Sequence, residues 1–174
     1  MTPDEIKQCI ADIISTGDEI DRILEDDEAP TPAPAPPASS QDLDLLSSEL
    51  AGRGLKMPAG YKMLLSVHNG VADLLPDLSF RSAREIIDSS EKDKAWRSFG
   101  AMHNFIVASG RTSAFGAFDP DTATSEGDME LVFVSEVGDV DRYAGVEEFL
   151  ESRRRILVED LALVKADRAM LADD

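Results

Sequence analysis

Residues 55–70 read Leu-Lys-Met-Pro-Ala-Gly-Tyr-Lys-Met-Leu-Leu-Ser-Val-His-Asn-Gly, a stretch with the signals of both a helix start and a helix end. Proline suits the first turn of a helix, because its missing N–H has no intrahelical partner there. Asn-Gly is typical of a helix end, because both residues tolerate the left-handed conformation. The spacing predicts one amphipathic helix that begins at Pro58, ends at Asn69 and Gly70, and buries one face, formed by Tyr61, Leu64, Leu65 and His68.

The composition indicates a globular protein with an acidic surface. The chain has 174 residues, of which 43% are hydrophobic, enough for one domain with an appendage. Its net charge is −18, and the acids are spread along the chain. Such a field repels nucleic acid and acidic lipid surfaces, and it favours encounter with basic partners. We therefore expect a protein partner, and no direct binding of nucleic acid or membrane.

The location of the protein is predicted from its cysteine content and its first residues. Cys9 is the only cysteine, so an intramolecular disulfide is excluded and a reducing compartment is favoured. The first residues lack the basic and apolar regions of a signal peptide. No apolar run reaches the roughly 18–20 residues that cross a bilayer. These observations predict a cytoplasmic protein.

Residues 1–24 carry the signals of an amphipathic helix. Thr2, Pro3 and Glu5 supply a capping hydroxyl, a proline at the first helical position and a capping-box acid. Gly17 interrupts the pattern, which fits one bent helix or two short ones. The apolar stripe needs a partner, which could be its own domain, a second copy or a foreign groove. Its members are Ile6, Ile10, Ile13, Ile20 and Leu24.

Residues 25–40 predict an acidic, Pro/Ala-rich linker. They hold five of the nine prolines and no apolar side chain larger than Ala or Pro. Such a segment is extended and polyproline-like, and at about 3.1 Å per residue it spans about 50 Å. We therefore predict that residues 1–24 form a separable docking helix, and that residues 41–174 keep their core without it.

Residues 41–174 predict an α+β domain. A helix begins near Ser40 and ends at Gly52 or Gly54, and a capping box at Ser82 and Glu85 opens another after a short strand at 78–80. Apolar runs at 105–108, 114–118 and 129–135 predict three strands in a block, followed by one or two closing helices from Val146. In the last strand, alternation places Leu131, Phe133 and Met129 on one face and Val132 and Val134 on the other. Strands grouped between helices favour α+β over alternating α/β.

Two segments resemble the SUKH superfamily, the bacterial immunity proteins related to fungal cell-wall-assembly regulators of the Smi/Knr type. The first match comprises Leu55, Pro58, Tyr61, Leu64, Leu65, Asn69 and Gly70. The second, residues 143–150, resembles the family's closing segment, with Gly145 where a capping Ser is usual. Many members of the family have a glycine-rich turn that ends in an acid in the middle of the sheet. This chain has Ser-Gly-Arg-Thr at 109–112 instead, so the resemblance implies no role for such an acid here. The resemblance covers residues 42–163 and implies a mixed, mainly antiparallel sheet with flanking helices.

Motifs for enzymatic chemistry are weak in this sequence. The two histidines, His68 and His103, have no companions at metal-ligand spacing. Cys9 is surrounded by acids, which disfavour its thiolate. Residues 119–128 resemble a calcium loop, but Ala123 and Thr124 occupy positions that need a ligand and a glycine. The 35 acids leave chance carboxylate pairs open. We expect no metal, no cofactor and no catalytic residue.

The resemblance and the charge together predict a non-enzymatic immunity-type protein that neutralises a toxin domain, such as a basic nuclease. Acids in turns of the sheet are the predicted contact residues, because turns display charge without cost to the core. They are Asp119, Asp121, Glu126, Asp128, Asp139 and Asp141. The alternative is a binding or scaffold module of the same fold in a regulatory assembly, docked through the N-terminal helix.

Overall fold

The computed structural model describes residues 1–24, 31–75, 78–89, 100–102, 104–110 and 113–172. The helices are α1 (Pro3–Leu24), α2 (Ser40–Gly52), α3 (Ala59–Val67), α4 (Ala83–Ser89) and α5 (Val146–Ala172). The strands are β1 (Val71–Leu75), β2 (Leu78–Phe80), β3 (Ile106–Gly110), β4 (Phe115–Asp119), β5 (Glu130–Val134) and β6 (Val140–Tyr143). They form one antiparallel sheet whose spatial order equals the chain order. The predicted α+β fold is confirmed.

Residues 55–70 form α3 and the turn that follows it. The helix exists as predicted, but Pro58 occupies the N-cap position and the last helical residue is Val67. Because the helix stops early, the helical period no longer positions His68, which is only half-buried and has extended backbone. His68, expected to be a core or half-buried residue of this face, is therefore half-buried and lies just past the end of the helix. The side chains of α3 that are buried are Tyr61, Leu64, Leu65 and Val67.

The Asn-Gly pair after α3 connects this helix to the next elements. The Asn69 side-chain oxygen accepts the Ala83 N–H at 2.8 Å, which caps the start of α4. Gly70 has a φ of +100°, and a Cβ there would lie 3.1 Å from the Phe80 carbonyl oxygen. Only glycine fits this turn without strain. The predicted capping box of α4 is present, since Ser82 Oγ accepts the Glu85 N–H and Glu85 accepts the Ser82 N–H.

The two faces of the sheet carry different apolar clusters. Leu131 and Phe133 join the main core against the helices, whereas Val132 and Val134 join a second cluster on the other face, as predicted for this strand. Gly116 in β4 makes room for this packing, because a Cβ there would lie 2.5 Å from the Phe133 ring. Every residue of β4 is buried. The centre of the sheet is thus packed on both faces.

Helix α1 belongs to the main core, which corrects the prediction of a separable helix. Ile6, Ile10 and Ile13 are buried with Cys9, and α1 packs along α5 and α3. Ile20 is partly buried against the same core, and Leu24 is 58% exposed. The helix is continuous through Gly17. The stripe buries itself here because α5 and α3 offer the apolar surface that it needs.

The described part of the linker lies against the domain. The Ala38 N–H donates to the Leu65 carbonyl at 2.9 Å, and the Asn69 N–H donates to the Pro36 carbonyl at 3.0 Å. Residues 31–39 have the predicted lack of regular structure, but these bonds return the chain across the end of α3. Residues 31–39, called the strap below, therefore lie against the domain instead of forming a free linker. Residues 25–30 of the predicted linker lie outside the described ranges.

Candidate functional site

A cleft of about 510 Å³ lies at the edge of the core where α3 and α5 begin. One wall is the start of α3, residues 58–61. The opposite wall is the start of α5, residues 144–148 with Glu151. Asp128 and Met129, at the end of the β4–β5 loop, close the third side, and Phe118 contributes from β4. Two helix starts and one loop therefore meet at a single concave surface.

The starts of α3 and α5 lie in contact with each other. Gly60 is at the point of contact, where a Cβ would lie 3.9 Å from Val146, an ordinary van der Waals distance. Pro58 makes no side-chain hydrogen bond at its helix end, and Gly145 has no side chain to make one. Both helices begin at the cleft, so the positive ends of their dipoles lie at its walls. This favours the acids Glu147 and Glu148 in the first turn of α5.

Tyr61 contributes a neutral aromatic side chain to the lining of the cleft. Its ring is fully buried and stacks edge-on against Phe105 and Phe118, with centroid distances of 5.9 and 5.4 Å. Its hydroxyl donates to the Arg81 carbonyl at 3.4 Å. Burial raises the pKa of the phenol far above its ordinary value. Tyr61 therefore stays protonated and serves as a rigid apolar surface.

The carboxylates of the cleft differ in how they are paired. Glu147 lies 2.6 Å from the Met1 amino group, and Glu148 accepts the Ala144 N–H just before α5. No hydrogen bond or ion pair joins the carboxylate of Asp128 or Glu151 to another residue in the described part of the chain. These two acids are thus available to an outside cation.

The loop that carries Asp128 is held in one position. Lys56 Nζ donates to the Ser125 carbonyl at 3.1 Å, and the Thr124 N–H donates to the Asp128 carbonyl at 2.9 Å. Gly127 has a φ of +97°, and a Cβ there would lie 2.8 Å from the Lys56 side chain. A side chain at Gly127 would therefore displace the loop from Lys56. The cleft is preformed on this side.

Asp119 differs from the other predicted contact acids, because it is only 8% exposed. Its Oδ2 accepts from Arg142 Nη1 at 3.0 Å, and the same nitrogen donates to Glu130 at 2.8 Å. These two carboxylates raise the pKa of the Arg142 guanidinium. The Asp119 Oδ1 also accepts the Asp121 N–H at 3.2 Å, which starts the short 3₁₀ turn at Pro120–Thr122. Asp119 therefore ties β4 to β6 and presents little charge to solvent.

The structure divides the remaining predicted acids into two groups. Asp121, Glu126 and Asp128 are exposed on the β4–β5 loop, and Asp128 faces the cleft. Asp139 follows the turn after β5, and Asp141 pairs with Phe133 in the edge strand β6. At about 3.3 Å per residue, the first and last of the five residues of β5 lie roughly 13 Å apart. The six acids therefore do not form one continuous patch.

The acids of α5 were missed by the sequence analysis although a signal was present. Glu147 and Glu148 follow Gly145 at a predicted helix start, and Glu151 lies one turn later. Acids are common in the first turn of a helix, where they interact with the dipole, so this pattern alone indicates no site. What distinguishes them is that α3 begins beside them, which only the tertiary structure shows.

His68 and Cys9 lie away from the cleft. His68 Nδ1 is 3.2 Å from the Ala35 carbonyl oxygen and thus joins α3 to the strap. Cys9 is fully buried, its Sγ lies 3.5 Å from the Leu150 carbonyl oxygen, and burial raises the pKa of its thiol. Among the described residues, no group of three His, Cys, Asp or Glu is arranged to hold a metal ion. His103 lies outside the described residues.

Neither protein-family models nor curated proteins provide a match for this chain. In the described ranges, no helix has both the length and the apolar character needed to cross a membrane. The resemblance to SUKH proteins therefore rests on residues 55–70 and 143–150 alone. Both of these segments contribute to the walls of the cleft.

Proposed function

We propose that this chain is an immunity-type binding protein of the SUKH kind, which neutralises a basic toxin domain through the acidic cleft. The observation that supports this best is the position of the two segments that carry the resemblance. Residues 58–61 and 144–148 lie far apart in sequence but form opposite walls of one cleft. The two segments that carry the resemblance therefore form one concave surface, as a shared binding site would.

Charge supports a basic partner. The chain carries a net charge of −18, which speeds encounter with a cationic surface such as the nucleic-acid-binding face of a nuclease. Asp128 and Glu151 would accept Lys or Arg side chains of that face, and exposed Asp121 and Glu126 extend the negative surface along the loop. Such a complex blocks the toxin by occupying the surface that its own substrate needs. Its affinity should fall as salt concentration rises.

The test is protection of cells by the wild-type chain against the toxin domain encoded beside its gene. We expect the wild-type chain to protect, and Asp128→Asn with Glu151→Gln to lose protection. The matched control is Asp44→Asn with Asp88→Asn, which makes the same change in net charge at exposed positions on α2 and α4 and should still protect. Equal protection by both double variants would contradict the assignment of the cleft.

The activity and mass of the released toxin distinguish a non-enzymatic mechanism from an enzymatic one. Toxin released from the complex should regain full activity and show an unchanged mass, because it was only covered. A permanent mass change in the toxin would show that the chain acts as an enzyme instead.

The alternative function is a scaffold module of the same fold in a regulatory assembly. In that alternative the N-terminal helix would dock the module onto a partner. The structure does not favour this, because Ile6, Ile10 and Ile13 of that helix are buried in their own domain. The absence of any neighbouring toxin gene, together with capture of only housekeeping proteins, would favour this alternative.

A further inference from the structure

The C-terminal half of α5 extends past the main core. Leu157 is the last buried residue of the helix, which continues to Ala172. Along this half, Lys165 Nζ lies 2.8 Å from Glu19 of α1, and Arg168 Nη1 donates to the Ile23 carbonyl at 2.7 Å. The helix is therefore supported on the side that faces α1.

A second side of this half carries an apolar strip made of Ile156, Leu163 and Met170. These residues are 38%, 65% and 65% exposed. Seven residues are close to two turns of an α-helix, so the three side chains form a line about 21 Å long. Lys165 and Arg168, which reach α1, lie roughly a third of a turn or more away from this line. The strip is therefore separate from the face that packs on α1.

The charges beside the strip are mainly negative. Glu159, Asp160 and Asp167 are exposed on α5 within one turn of it. The nearby cations mostly point elsewhere, since Arg153 donates to the Leu74 carbonyl and Lys165 and Arg168 bind α1. One exposed basic residue, Arg155, lies at the end nearest the core. Two copies of this face would bring like charges together, whereas a cationic helix would neutralise them.

We propose that the strip of Ile156, Leu163 and Met170 docks an amphipathic helix with basic flanks from a partner protein. Such a helix would place its apolar residues on the strip and its Lys or Arg residues against Glu159, Asp160 and Asp167. Leu163 lies twelve residues along α5 from Glu151, or about 18 Å. This surface is therefore distinct from the cleft, and the proposal does not depend on the proposed function.

The proposal is tested with the full chain and a fluorescently labelled 18-residue helix of Leu and Lys, patterned to be amphipathic. Fluorescence anisotropy at physiological salt should show binding to the wild type. Leu163→Gln with Met170→Gln should weaken it at least about tenfold, or 1.4 kcal/mol. Val158→Gln is the matched control, because Val158 is 55% exposed but lies about 200° around the helix from Ile156. It should bind within about twofold of the wild type. Circular dichroism checks that each variant keeps its helix, since Gln is a good helix former.

Three results would overturn the proposal. The double variant could bind as tightly as the wild type, which would place the peptide elsewhere on the acidic surface. A scrambled peptide of the same composition could bind equally well, which would reduce the interaction to charge alone. Light scattering could show a wild-type dimer that becomes monomeric in the double variant, which would make a second copy of this chain the occupant.

Discussion

The two ends of the α1–α5 pair differ in how they are held. The helices run parallel, since Cys9 contacts Leu150 near their starts and Glu19 pairs with Lys165 near their ends. At the first end, Ile6, Ile10 and Ile13 are buried and α5 forms a wall of the acidic cleft. At the other end, Leu24 is exposed, Lys165 pairs with Glu19, and Arg168 donates to the Ile23 carbonyl. The α1–α5 pair thus builds core beside the cleft at one end and exposes apolar side chains at the other.

The largest expected effect contrasts Ile10→Ala with Leu24→Ala. Ile10 is fully buried, so its truncation should lower the free energy of unfolding by about 2–5 kcal/mol through lost burial and a cavity. Leu24→Ala should change it by less than about 0.5 kcal/mol, as an exposed substitution does. Urea unfolding measures both. Equal small effects would show that α1 leaves the core in solution, as a separable helix would.

A stabilising variant sharpens the same contrast. Gly17 lies in the middle of α1, and a Cβ there would meet no atom within 4 Å. Gly17→Ala should therefore raise the free energy of unfolding by roughly 0.5–1 kcal/mol, because alanine restricts the unfolded chain and favours the helix. Gly52→Ala, also without neighbours but in the last position of α2, should gain less. No gain at Gly17 would indicate that the unfolding of α1 is not coupled to that of the domain.

The smallest expected effect concerns the ionic end of the pair. The hydrogen bond from Lys165 holds the pKa of Glu19 below its ordinary value. A lowered pKa in the folded state means that the pair stabilises the fold above the unfolded pKa and loses this contribution as pH falls through the folded pKa. In Lys165→Gln, an NMR titration should show the pKa of Glu19 moving up toward its ordinary value. An unchanged pKa would mean that the two side chains do not meet in solution.

Local patterns in the sequence predicted most of the elements. The capping box at Ser82, the strand at 78–80 and the alternation of Leu131, Val132 and Phe133 appear in the structure because short-range rules decide them. The strands β1 and β6 were missed. β6 is an exposed edge strand without an apolar run, so it carries no strand signal in its composition.

Long-range packing could not be predicted from these patterns. The stripe on α1 indicated burial, but nothing in its spacing distinguishes α5 from a foreign groove. The proline-rich segment indicated an extended chain, yet its backbone bonds to Leu65 and Asn69 depend on where α3 ends. The cleft likewise requires α3 and α5 to start side by side. The position of Glu151 in its lining therefore could not be predicted from the sequence.

The position of the binding surface is tested most directly by comparing acids at the two ends of β5. Calorimetry would measure the affinity of the neighbouring toxin domain for the wild type, for Asp128→Asn with Glu151→Gln, and for Asp139→Asn with Asp141→Asn. Both double variants remove two charges, so the general field changes equally. If the cleft is the binding surface, the first variant should lose at least about tenfold, or 1.4 kcal/mol, and the second should change only a few fold, in proportion to the net charge. A tenfold loss confined to the Asp139 and Asp141 variant would contradict the account.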